Sequence, residues 1–176
     1  MLFHETELRG AFIIEPQLVE DSRGFFARVF CRNEFADHKL KPTVAQCNVS
    51  WNVRKKTLRG MHFQVEPHAE VKLVRCTRGA IYDVIVDLRH DSATFRQWSA
   101  RELTAENHLM MYVPEGFAHG YQALEDGTEV FYQVSGCYAP ESERGIRWND
   151  PAFNIQWPYT DPILSEKDKS REDWKE

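Results

Sequence analysis

The chain lacks any apolar run of the roughly 20 residues that a membrane-spanning helix needs. Its start, Met1-Leu2-Phe3-His4-Glu5, is not a signal peptide. Cysteine is sparse. Cys31, Cys47, Cys76 and Cys137 are scattered, with no C-x-x-C pair. That argues against a disulfide framework or a zinc site and for reduced thiols in a cytoplasmic protein. There is no excess of basic residues. The net charge is -5, which excludes a general nucleic-acid role but leaves room for a local cationic pocket that takes a small anion. Repeats, low-complexity segments and linkers are also missing. What is present, 176 residues with 42% hydrophobic and 28% charged, is enough for one domain, 1–176, with its own core.

The chain is organised around Thr57-Leu58-Arg59-Gly60-Met61-His62-Phe63-Gln64. The pattern predicts a short strand. Alternation puts Leu58, Gly60, His62 and Gln64 on one face and Arg59, Met61 and Phe63 on the other. Gly60 marks a backbone bend or a close approach. Further strands are predicted over 9–15, 25–30, 43–51, 70–76, 80–88, 98–103, 109–113 and 128–135, divided by Gly and Pro turns such as Asp21-Ser22-Arg23-Gly24. In 43–51, Gln46, Asn48 and Ser50 share a face, either a hydrogen-bonding wall or a solvated exterior. In 128–135, Val130 and Tyr132 share one. Short helices are expected at 31–39 and at the C-terminus, where Ser165 reads as an N-cap. Residues 139–158 read as loop. Many short strands and few helices predict an all-β sandwich or barrel.

Four residues near predicted strand ends or cavity faces carry usable chemistry: His62, Lys72, His119 and Tyr132. Asp168 lies on the terminal helix. An imidazole whose second nitrogen is held by a carboxylate is a stronger and better oriented base. A tyrosine in the same cavity returns a proton from another direction. Lys72 and Arg59 suit an oxyanion or phosphates. Taken singly, each reads equally as a solvated charge or a satisfied core group.

Pro114-Glu115-Gly116-Phe117-Ala118-His119 matches the P-x-G-x-x-H of cupin barrels. Metal-binding cupins also need an H-x-H pair, and the corresponding stretch here is His62-Phe63-Gln64. One histidine does not fill a site that wants three or four ligands. A cupin-like jelly-roll barrel without a metal is therefore expected.

The longer motifs resemble one family closely. Asp21-Ser22-Arg23-Gly24-Phe25-Phe26, Leu58-Arg59-Gly60-Met61-His62-Phe63-Gln64, Lys72-Leu73-Val74-Arg75, Val113 through Gly120 and Leu164-Ser165-Glu166-Lys167-Asp168 are similar to the 3,5-epimerases that act on dTDP-4-keto-6-deoxyglucose in the rhamnose pathway. The similarity runs nearly the whole chain, in order. It implies a jelly-roll homodimer with exchanged N-terminal strands, no metal or organic cofactor, and a 4-keto sugar nucleotide as substrate. By the same resemblance His62 is the base, Asp168 its carboxylate and Tyr132 the proton donor. Substrate and phosphate contacts fall on Arg23, Gln46, Asn48, Arg59, Lys72, His119, Glu143 and Lys167, with Tyr138 the aromatic near the sugar.

The chain departs from the family's usual pattern at Arg28 (usually Glu), Cys47 (usually acidic), Gln133-Val134-Ser135 (usually Lys-Thr-Thr), Cys137 (usually Tyr), and His68 and Glu70 (usually small or Gln). These changes leave other activities in play: a C3 or C5 mono-epimerase on a cytidine- or guanosine-linked sugar, a 3,4-ketoisomerase, and a non-catalytic binding module.

Overall fold

The structure, a computed structural model, describes residues 1–175. In chain order the elements are β1 (Leu2–Glu5), β2 (Phe12–Glu15), β3 (Leu18–Asp21), β4 (Gly24–Ala27), α1 (Arg32–Asp37), β5 (Gln46–Asn52), β6 (Leu58–Gln64), β7 (Lys72–Arg78), β8 (Ala80–Asp87), β9 (Trp98–Thr104), β10 (Met110–Val113), β11 (Phe117–Ala123), β12 (Thr128–Val134), β13 (Glu143–Gly145) and α2 (Glu166–Lys169). One sheet runs β1-β2-β10-β7-β12-β5 and the other β13-β6-β11-β8-β9. They pack as a cupin-like jelly roll, the all-β architecture that the strand pattern predicts.

The core shows why β8 reads as a long alternating run. Ile81 and Ile85 point between the sheets, against Val74, Met111, Phe117 and Val130. Val84 and Val86 point to the opposite face, which Phe153, Ile155 and Trp157 cover. The Trp- and Pro-rich stretch that reads as loop is thus a lid on the outer face of the second sheet, and it contains β13.

Four strands, β1, β3, β11 and β13, fall where no strand is predicted, and β4 ends at Ala27 rather than continuing to Phe30. Phe30 turns inward instead, with its ring 4.9 Å from that of Phe35 on α1. β3 and β4 form a two-stranded ribbon that joins neither large sheet.

Strict alternation fails on β6. Gly60 has φ +131°, and a Cβ there would lie 2.6 Å from the Gly120 Cα. The β6–β11 pairing shifts register between His119 and Tyr121. As a result Arg59 and His62, predicted on opposite faces, line the same cavity, while Met61 is buried on the far side with Ile146 and Phe153. A glycine at a positive φ lets the two strands touch and re-aims the side chains beyond it.

β5 is turned inside out relative to an ordinary edge strand. Gln46, Asn48 and Ser50 face cavities, while Val49 (60% exposed) and Trp51 (44%) face out. The polar set is therefore the wall of a site.

Candidate active site

A cavity of about 500 Å³ opens between the sheets. β6 supplies Arg59 and His62, β7 Lys72, β11 His119 and Tyr121, and β12 Tyr132, while Ser165, Lys167 and Asp168 close one wall. A second lobe of about 450 Å³ shares His62, Lys72, Tyr132 and Lys167. Gln46, Asn48, Gln64 and Tyr138 line that lobe, together with the acids Glu70 and Glu143. Such volumes suit a small-molecule ligand.

His62 Nε2 lies 2.6 Å from Asp168 Oδ1. The Asp168 side chain is 6% exposed, and its backbone N–H donates to Ser165 Oγ at 3.1 Å. Burial works to raise the Asp168 pKa, but the His62 hydrogen bond and charge, helped by Ser165 and the Gly60 backbone, outweigh it and hold the carboxyl below its usual 3.8. An ionised Asp168 draws the imidazole proton onto Nε2 and leaves Nδ1 as the basic nitrogen.

His119 is the direct cross-strand partner of His62. Its Nε2 lies 2.7 Å from Asp83 Oδ1. Asp83 is fully buried, and its other oxygen has no partner among the described residues. Sequence reasoning missed this second histidine–carboxylate pair. The available signal was an acid inside the core-facing set Ile81, Asp83, Ile85.

Burial raises the Tyr132 pKa, and the charge of Glu70 raises it further, against a smaller opposing effect of Arg59. The phenol is therefore protonated at neutral pH. Burial lowers the Lys72 pKa, with Glu70 as the main opposing influence. Arg59 is fixed from behind: its Nε donates to Asn52 Oδ1 at 2.9 Å and its Nη2 to Trp51 O at 3.0 Å.

Glu143 is the hub of the second lobe. It accepts from Tyr138 Oη at 2.5 Å, Lys167 Nζ at 2.7 Å and Arg171 Nη2 at 2.7 Å. Burial alone would raise its pKa; the bonds from Lys167 and Tyr138 override that and pull it to about 2. Gln46 Oε1 accepts the Tyr138 N–H at 3.1 Å. Arg23 is the exception among the predicted site residues. It sits at the tip of the β3–β4 ribbon, 87% exposed and paired with Asp21, and it lines neither lobe of this chain. Among the described residues no group of three His, Cys, Asp or Glu is arranged to hold a metal ion.

A jelly roll whose hollow holds a carboxylate-backed imidazole and a phenol defines a class, the cupin-like sugar isomerases, and comparison with known proteins narrows it. Residues 5–176 match the family described as dTDP-4-dehydrorhamnose 3,5-epimerase. The protein of that name from Sinorhizobium fredii is 42% identical over 172 residues, covering 97% of this chain and 88% of its own. The crystal structure of the Bacillus anthracis enzyme of that name, with TDP and PPi bound, superposes with a TM-score of 0.94 at 43% identity and covers 97% of each chain. NovW, a 4-keto-6-deoxy sugar epimerase from Streptomyces spheroides, gives 0.93 at 34% identity, covering 98% of this chain and 87% of its own. The chain belongs to the dTDP-4-dehydrorhamnose 3,5-epimerase family. It is an isomerase, an epimerase of nucleotide-linked sugars.

Proposed function

We propose that the protein inverts both C3 and C5 of a dTDP-linked 4-keto-6-deoxyhexose, with His62 as base, Asp168 as its orienting carboxylate and Tyr132 as proton donor. The single observation that carries this reading is the 2.6 Å contact between His62 Nε2 and Asp168, in a cavity that Tyr132 also lines. The 4-keto group acidifies the hydrogens on C3 and C5. His62 Nδ1 takes one, and the electron pair of the broken C–H bond moves into an enolate. Lys72 stabilises the enolate oxygen, a contribution of about 2–4 kcal/mol if it acts like one oxyanion-hole donor. Tyr132 then supplies a proton to the opposite face, the new C–H bond forms inverted, and solvent returns the His62 proton to the phenolate. The second centre follows by the same route.

Arg59, His119 and Lys167 bind the sugar and its phosphates, and Gln46, Asn48, Tyr138 and Glu143 shape the second lobe around the rest of the substrate. No metal or organic cofactor enters the scheme. The TDP in the Bacillus anthracis structure supports thymidine as the base, although Arg28, 60% exposed and 3.4 Å from Glu34, stands where the family usually has an acid.

The working unit in this reading is a cytoplasmic homodimer. The isolated ribbon supports it: Val19, Phe25 and Phe26 are 66%, 53% and 69% exposed, more apolar surface than a free hairpin keeps in water. Arg23 then reaches the partner's cavity. Mixing inactive Arg23→Ala with inactive His62→Ala should restore activity, because a mixed dimer contains one intact site.

The test of the reaction is the product. Incubation with dTDP-4-keto-6-deoxyglucose, followed by NMR, should show inversion at C3 and C5. Inversion at one carbon would make the protein a mono-epimerase, and migration of the carbonyl to C3 would make it a ketoisomerase.

A further inference from the structure

Glu70 takes no part in the scheme above. It precedes β7, its side chain is 10% exposed, and it lines the second lobe with Lys72 and Tyr132. Its two oxygens are divided between two partners. Oε2 accepts from Gln64 Nε2 at 3.0 Å, and Oε1 lies 3.5 Å from Lys72 Nζ. Gln64 is itself fixed, because its Oε1 accepts the Ala139 N–H at 2.6 Å and its Nε2 also donates to His68 O at 3.0 Å. A rigid carboxamide thus aims a buried carboxylate at the lysine.

Other charged or titratable groups surround Lys72. Arg59 and His62 on β6, His119 and Tyr121 on β11, Tyr132 on β12, and Lys167 and Asp168 on α2 line the same cavity, and Asp83 on β8 and Glu143 on β13 act on it through their charge. Among the described residues only Glu70 lies within ion-pair distance of Nζ.

We propose that Glu70 is a positioning residue that keeps Lys72 an ammonium, held where the enolate oxygen forms. The inference rests on the epimerase reading above. A buried amine with no counter-charge loses its proton well below its usual range, and a neutral amine stabilises an oxyanion poorly. A carboxamide at position 70 would keep the Gln64 bond and leave the ammonium uncompensated. This chain has a carboxylate there instead.

The test is Glu70→Gln, with Glu70→Asp as the charge-retaining control. Two readouts apply: kcat and KM across pH 6–10, and direct titration of Lys72 Nζ by ¹⁵N NMR. In Glu70→Gln, Lys72 should titrate about 1–3 pH units lower than in wild type. The alkaline limb of the kcat profile should move down with it, while kcat at pH 6 and KM stay near wild type. Glu70→Asp should restore both. A Lys72 titration unmoved in Glu70→Gln, or a loss of kcat uniform across pH, would overturn the proposal. The two readings fail separately. If the wild-type protein epimerises no 4-keto sugar, the epimerase reading falls. If the wild type is active and the Lys72 titration does not move, only the role of Glu70 falls.

Discussion

Asp168 and His62 are 106 residues apart in sequence and 2.6 Å apart in space. The contact is built by a segment zipped onto the start of β6: Leu58 N–H donates to Ile163 O at 2.9 Å and Ile163 N–H to Lys56 O at 3.0 Å. The strand that carries the imidazole and the turn that carries its carboxylate are therefore one hydrogen-bonded unit. The site is incomplete without the last turn of helix.

Asp168→Asn removes the charge and keeps the shape. It should lower kcat by about 10²–10⁴-fold, the usual worth of general acid–base catalysis, with little change in KM. Because the two residues act as one unit, the double variant with His62→Ala should be hardly slower than His62→Ala alone. Steady-state kinetics on the three proteins checks this.

Tyr132→Phe deletes the phenol that we propose as proton donor and leaves the imidazole in place. Hydrogen exchange at C3 and C5 should continue while inversion falls by at least about 10²-fold. Comparing exchange with product formation in one NMR experiment separates the two steps. Equal loss of both would assign Tyr132 to binding.

Ser165→Ala removes the cap that holds α2. A lost N-cap costs about 1 kcal/mol, so the Asp168 amide should exchange about fivefold faster. Activity should fall with it, because the helix presents the carboxylate. Hydrogen-exchange mass spectrometry resolves the local effect.

Acid stability has a defined window. Asp87 is fully buried. Burial works to raise its pKa, but bonds from Arg89, Ser92 and Thr94 outweigh it and bring it from 3.8 to about 2. A folded-state pKa below the unfolded value contributes stability above pH 3.8, and that stability is lost as pH falls toward 2. The amount is about 2 kcal/mol. Urea midpoints at pH 7 and pH 2.5 should differ by more in wild type than in Asp87→Asn.

Much of this was legible in the sequence, for physical reasons. Alternation on β5, β8 and β12 marked strands because each face of those strands meets one environment. Ser165 marked a cap because its oxygen, three residues ahead of Asp168, accepts that residue's N–H. The grouping of Arg59 with His62, which the resemblance implies, was not legible in the strand alternation. It depends on Gly60 at φ +131° and a register shift against β11, which period-two reasoning does not contain. Asp83 was hidden for another reason. A buried acid in a strand has no spacing signature, because its partner His119 lies 36 residues away on a neighbouring strand. The β3–β4 ribbon was half visible: its turn was read, but the strand before it was not, since its residues alternate against no core of this chain.

The most direct measurement is deuterium incorporation. In heavy water with dTDP-4-keto-6-deoxyglucose, the wild-type protein should place deuterium at both C3 and C5, and His62→Ala should place it at neither. An epimerised product with no label at either carbon, or labelling unchanged in His62→Ala, would contradict the account.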